Sequence, residues 1–129
     1  MPLQNSVPAR NDLYQHIQYI QKDFTFSDTG AKVIGTLPAG ATIVRPMSGL
    51  VVNTVFNAGT SNVIDIGTTA DDDLYGTDLS GTTLGFVPLD ENVALTLTAD
   101  TTFTVTPGLT GTAATTGAGK AVICYILPQ

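Results

Sequence analysis

At 129 residues the chain has the size of one domain, long enough to bury roughly two-thirds of its unfolded surface in a single core. Charged residues make up only 12 % and the net charge is −6, and with no basic stripe to neutralise phosphates this balance excludes a nucleic-acid-binding module. The single cysteine, Cys124, excludes an internal disulfide and a cysteine-based zinc site, and no apolar run approaches the length of a membrane span.

The placement of charge says more than its sum. Residues 1–35 balance Arg10, Lys22 and Lys32 against Asp12, Asp23 and Asp28; beyond them Arg45 and Lys120 face Asp65, Asp71, Asp72, Asp73, Asp78, Asp90, Glu91 and Asp100. A surface so poor in the Lys and Glu that keep monomers apart points to coverage by neighbours. The start, MPLQNSVPAR, has neither a basic n-region nor an apolar h-region, which predicts a soluble protein made in the cytosol without Sec export.

Residues 1–22 are expected to form an N-terminal arm and residues 23–129 the folded domain. Pro2 and Pro8 lie among Gln, Asn and Ser, with Leu3 and Val7 as isolated apolar groups. From Asn11 to Lys22 two readings compete. Asp12 and Gln15 fit a capping box with Leu13, Ile17 and Ile20 on one helical face; alternatively the segment is extended and runs into Phe24 and Phe26. A short helical turn, then a strand from about Tyr19, is the reading adopted. Either way Leu13, Tyr14, Ile17, Tyr19 and Ile20 require a cover.

Ser27-Asp28-Thr29-Gly30 is a turn. Strands are predicted over 32–37, 42–44 and 50–56, the last with Leu50, Val52, Thr54 and Phe56 on one face and Val51, Asn53 and Val55 on the other. Asn57-Ala58-Gly59-Thr60 is expected to fold this strand back onto 62–66 as a hairpin. Residues 69–78 read as an edge loop. Further strands are predicted over 82–86, 92–98 and 101–106, with Ala99-Asp100 as the tight connection between the last two. Residues 109–119 form a Gly/Thr/Ala loop, and the final strand, 120–127, is apolar on both faces. In a two-layer sandwich its second face must then be covered by the arm or by another subunit. The pattern predicts an all-β fold, a jelly-roll or Greek-key β-sandwich with an extended N-terminal arm.

No constellation reaches the level of an enzyme site, and no cofactor or metal is expected. Asp71, Asp72, Asp73 and Asp78 carry hard carboxylate ligands suited to Ca²⁺, but Tyr75 and Thr82 stand where an EF-hand wants a ligand and its bidentate Glu, so a solvated acidic loop is the reading adopted. His16 is the only histidine and falls in the arm, where a catalytic group would lack positioning. Cys124 lies within an apolar strand and reads as an inert buried thiol. Gly117-Ala118-Gly119-Lys120 is not a phosphate loop, because Ala121 replaces the Ser/Thr and a strand follows.

Gly35-Thr36-Leu37-Pro38-Ala39-Gly40-Ala41-Thr42-Ile43, Phe56-Asn57-Ala58-Gly59-Thr60-Ser61, Ile66-Gly67-Thr68 with the Asp loop after it, and Leu97-Thr98-Ala99-Asp100-Thr101-Thr102 resemble phrases of small tailed-bacteriophage virion proteins. These are the capsid decoration, or cement, proteins, and the resemblance covers roughly residues 31–127. It implies a jelly-roll subunit on the outer surface of the virion, made in the host cytoplasm. Such a subunit works as a homodimer or homotrimer and staples major capsid proteins together, with no nucleic-acid or membrane partner. Leu13, Tyr14, Ile17 and Tyr19 are then expected to anchor the arm on a neighbour. The alternative is a receptor- or carbohydrate-binding module of a phage fibre or spike, which needs exposed aromatics; Tyr75, in its long loop, is the one candidate.

Overall fold

Runs of Val, Ile, Thr and Phe separated by Gly, Pro and Asn become strands joined by turns, because β-branched and aromatic side chains fit a pleated, half-buried surface. The structure, a computed structural model, describes residues 16–128. Its strands are β1 (Gln18–Thr25), β2 (Lys32–Leu37), β3 (Thr42–Ile43), β4 (Gly49–Thr54), β5 (Ser61–Thr68), β6 (Gly76–Ser80), β7 (Gly85–Pro88), β8 (Thr101–Thr110) and β9 (Ala118–Ile126). A 3₁₀ turn, Arg45–Met47, joins β3 to β4.

The pairing is nested. β1 pairs with β9, β2 with β8, β4 with β7 and β5 with β6, all antiparallel, as in one long hairpin. Rolling that hairpin up adds β4–β9 and β5–β8 contacts and gives two sheets, β1-β9-β4-β7 and β2-β8-β5-β6. The two-residue β3 extends the first sheet beside β9. This is the strand order of a jelly roll, so the expected β-sandwich is what the chain forms.

Inward-facing side chains of both sheets fill the space between them. Leu50, Val52, Ala121 and Ile123 come from the first sheet; Ile64, Ile66, Phe103 and Val105 come from the second. Two aromatic pairs brace this core: Phe24 stacks on Phe56 with ring centroids 5.7 Å apart, and Tyr75 packs on Phe103 at 5.3 Å.

Several local expectations are overturned. The predicted hairpin between 50–56 and 62–66 does not form, since β4 and β5 lie in opposite sheets. Their connection is an arch, held to the facing loop by Asn57, whose Oδ1 accepts from the N–H groups of Thr115 (2.8 Å) and Thr116 (3.0 Å). Crossing over lets the apolar faces of both strands meet across the core. Residues 92–98 form no ladder with β8. They bond instead to the 40–43 segment, through Gly40 N to Leu97 O (2.8 Å) and Ile43 N to Leu95 O (2.8 Å). Asp100 accepts from Ala39 N at 3.0 Å, so it ties the chain to that segment and closes no tight hairpin.

The expected edge loop holds a strand, β6, at its end. The strand expected from about Tyr19 forms as β1, so residues 18–22, grouped with the arm, pair with β9 from Gln18 onward. Residues 11–15 of the helical alternative lie outside the described residues. β9 buries Gly119, Ala121 and Ile123 on its inner face, with Tyr125 half-buried; on its outer face Cys124 is buried and Val122 half-buried, while Ile126 is exposed.

Where β9 changes partner from β4 to β3, Ser48 fills the break. Its hydroxyl donates to Val44 O (2.8 Å) and accepts the Cys124 N–H (2.8 Å), and the side chain is fully buried. Ser48→Ala leaves that N–H without a partner in the interior, and the expected loss is about 1–3 kcal/mol in chemical denaturation.

Candidate functional site

Residues directly opposite one another in a register share a face of the sheet, so the pairings define what each sheet shows to the outside. On the first sheet the outer rows are Gln21, Val122, Gly49 and Pro88, then Asp23, Lys120, Val51 and Phe86. Tyr19 lies opposite Cys124 on the same face. Tyr19 is 61 % exposed, Phe86 47 % and Met47, in the 3₁₀ turn beside Cys124, 50 %. Asp23 and Lys120, 3.7 Å apart, are the one ion pair among the described residues. This face is a largely apolar surface of aromatic, aliphatic and thioether groups around a single neutralised charge pair.

The second sheet presents the opposite chemistry. Its outer rows carry Thr36 bonded to Thr102 (2.9 Å) and Ser61 bonded to Thr110 (2.6 Å). Asp65 and Asp78 lie further along, with Val33 and Val63 as apolar exceptions.

Of the residues expected to anchor the arm, Leu13 and Tyr14 lie outside the described residues. Ile17 (52 % exposed) and Tyr19 are both uncovered, and Tyr19 opens directly onto the apolar face. Ile20, one residue on, turns inward and packs over Gly35, so the alternation of β1 separates the two roles. Phe86 and Met47 were missed as surface residues. Val51 stands on the face opposite Leu50, as the alternation of the strand predicts. His16 is exposed ahead of β1. Cys124 is buried with its Sγ donating to Met47 O at 3.3 Å, and burial pushes the thiol above its ordinary value, which suits an unreactive group.

The acidic loop folds back over the second sheet. Gly67 makes this possible, since a Cβ there would run into the backbone of Asp71 and Asp72. Carboxylate oxygens of Asp71, Asp72 and Asp73 come within 4.8 Å of one another, and among the described residues these three could offer ligands to a cation. Asp78 does not join them: in a left-handed conformation (φ 53°) it gives its N–H to Asp65 Oδ1 at 2.8 Å. Asp90 accepts from Thr77 N at 3.0 Å, so six carboxylates crowd one end of the sheet. A hydrogen bond with the Asp71 carboxyl raises Asp73 above the ordinary value.

Burial raises Asp65, and repulsion from Asp78, Asp72 and Asp90 adds to it, against the opposing bond from Asp78 N–H. Its ionisation therefore costs the folded state more than the unfolded one. The stability tied to its proton is complete below the ordinary value of 3.8 and is lost as pH rises through the raised folded value. Asp65→Asn keeps the Oδ1 acceptor, so the variant is expected to melt slightly higher at pH 7, by under about 1 kcal/mol given its exposure. That gain should vanish in melts recorded below pH 3.8.

Tyr75, the aromatic expected in an exposed loop, is buried against Phe103, and burial raises its phenol above the ordinary value. It offers no platform for a sugar. Two open grooves, about 450 and 530 Å³, run along the Phe26–Gly30 turn and beside Val93–Thr102. Their walls are mostly Thr, Ala and Gly, with no converging acid, base and nucleophile.

No family model matches the chain, and no curated protein matches it. Among solved structures it is similar to a chain described as "Cyanophage Pam1 capsid asymmetric unit", with a TM-score of 0.66 and 18 % identity over 99 % of this chain and 100 % of that one. At that identity the likeness is one of fold.

Proposed function

We propose that this chain is a structural protein of a tailed-phage virion, of the decoration type, which binds the outer surface of the head and bridges neighbouring major capsid proteins. The observation that carries this reading is the end-to-end likeness to a chain of a cyanophage capsid asymmetric unit, with neither chain leaving a substantial remainder. An apolar outer face on a chain with few charges supports it, because such a surface favours company over solvent. The protein works by binding, as a homodimer or homotrimer, and catalyses nothing. Leu13, Tyr14, Ile17 and Tyr19 hold the arm against a neighbour. Interfaces of about 1,600 Å² would join each subunit to the shell. Selective binding of the expanded lattice then stabilises that lattice by mass action.

The test is sedimentation of the purified protein alone and with expanded heads that lack it, followed by thermal release of packaged DNA. Saturable co-sedimentation with a higher release temperature is the expected result. An oligomer that ignores heads but adheres to host cells or glycans would replace this reading with that of a receptor-binding module.

A further inference from the structure

The first sheet ends in β1, and among the described residues no strand lies on its far side. Phe26 N–H reaches Gly117 O at 3.0 Å and continues the β1–β9 register, so the even-numbered residues of β1 turn their backbone groups to β9. The odd-numbered ones turn theirs away. Thr25 is satisfied locally, since its N–H donates to Asp28 Oδ2 (2.8 Å) and its carbonyl accepts from Asp28 N (3.1 Å). Tyr19, Gln21 and Asp23 are left with three N–H and three C=O groups along one exposed line, which nothing among the described residues bonds.

The other three sheet edges are blunted. β7 has four residues and turns outward the backbone of Phe86 and of Pro88, which has no N–H. β6 holds the left-handed Asp78, whose N–H is taken by Asp65, and the β2 ladder is broken by a register shift between Val33 and Gly35. Interrupted edges of this kind resist pairing with another chain, whereas β1 runs for eight residues with no proline and no bulge.

The free groups are centred on Gln21, and that centring suits a second copy. Turned about a twofold axis at Gln21, β1 of another copy runs antiparallel, with Gln21 opposite its counterpart and Tyr19 opposite Asp23. All six free groups of each strand are then paired. The side chains agree with this register. A Gln amide carries both donor and acceptor and so complements itself across the axis. Asp23 is already neutralised by Lys120 at 3.7 Å, and Lys22 meets the apolar Ile20. Sliding the copy by two residues toward Thr25 sets Lys22 against its own counterpart and calls on the Thr25 N–H, which Asp28 holds.

We infer that two copies of this chain pair through the outer edge of β1, antiparallel about Gln21, and join their first sheets into one continuous sheet. This rests on the reading of the chain as an assembling virion protein and names the edge through which its copies meet.

The test uses the full-length chain free of heads, with head binding scored separately by co-sedimentation, so that the pairing and the virion reading can fail independently. Gln21→Cys, Tyr19→Cys and Asp23→Cys are each made in a Cys124→Ser background, where a hydroxyl replaces the one native thiol. Opposed residues of a hydrogen-bonded pair have Cα atoms about 5.5 Å apart, within reach of a disulfide. Under mild oxidation Gln21→Cys should form a covalent dimer at least tenfold faster than Tyr19→Cys or Asp23→Cys alone, and those two, mixed, should cross-link to each other. Gln21→Pro removes an outward N–H and leaves the β9 ladder intact, so the dimer dissociation constant from sedimentation should rise at least tenfold with an unchanged circular dichroism spectrum. If that variant fails to fold, the cross-linking rates decide alone. The inference is overturned by a chain that is monomeric at every concentration, by a closed trimer, by equal cross-linking rates at positions 19, 21 and 23, or by a dimer that a folded Gln21→Pro leaves as tight.

Discussion

Phe56→Ala is expected to remove about 3–5 kcal/mol of folding stability, the range for truncating a fully enclosed aromatic. Phe56 is 2 % exposed and stands where the chain crosses from β4 in one sheet to β5 in the other. Its ring stacks on Phe24, and its backbone N–H reaches Gly81 O at 3.0 Å. Gly117 faces the same ring so closely that a Cβ would overlap it. The ring thus packs where the β1–β9 ladder meets the Gly81 segment, and its removal leaves a cavity the surrounding strands cannot close without breaking register. Thermal unfolding should show a midpoint lower by about 10 to 20 °C. Phe86→Ala removes the same ring from the outer face, where it is already half in solvent. A loss under about 1 kcal/mol is expected there, and equal losses at the two positions would contradict the division into core and outer face.

Deleting residues 1–15 is expected to leave the domain folded and to weaken its binding to expanded heads by at least about 30-fold, the equivalent of losing one interface hot spot of 2 kcal/mol. Every pairing of β1 with β9, from Gln18 to Thr25, survives this truncation, so the melting curve should hardly move. Carrying the deletion through Thr25 is a different experiment. It strips the edge of the first sheet and removes Phe24, which is 2 % exposed, from the core; that chain should not fold. Co-sedimentation of the 1–15 deletion at full affinity would show that Leu13 and Tyr14 have no part in attachment.

How far the sequence reached can be judged strand by strand. The alternation in β4 put Leu50 and Val52 on one face and Val51 on the other, and the β-branched runs predicted strands close to where β2, β8 and β9 lie. Gly and Pro placed most of the turns. These are local properties, since whether a segment can be a half-buried strand depends on its own side chains. The two-layer, all-β architecture follows from them, because so many short amphipathic strands have nowhere else to bury their apolar faces.

Partner choice is another matter. Any strand offers the same row of N–H and C=O groups to a neighbour, so the expected β4–β5 hairpin and the expected ladder between 92–98 and β8 were as plausible locally as the pairings that form. What decided against them was burial summed over the whole chain: placing β4 and β5 in opposite sheets lets Leu50, Val52, Ile64 and Ile66 share one interior. The same global packing drew Tyr75 out of its loop and onto Phe103. It also brought Tyr19, Met47, Val51 and Phe86, distant in the chain, onto one outer face. Composition and periodicity determined that this protein is a β-sandwich; only the tertiary structure decided which residues share its outer faces, because a face of a sheet is assembled from strands whose adjacency no single strand encodes.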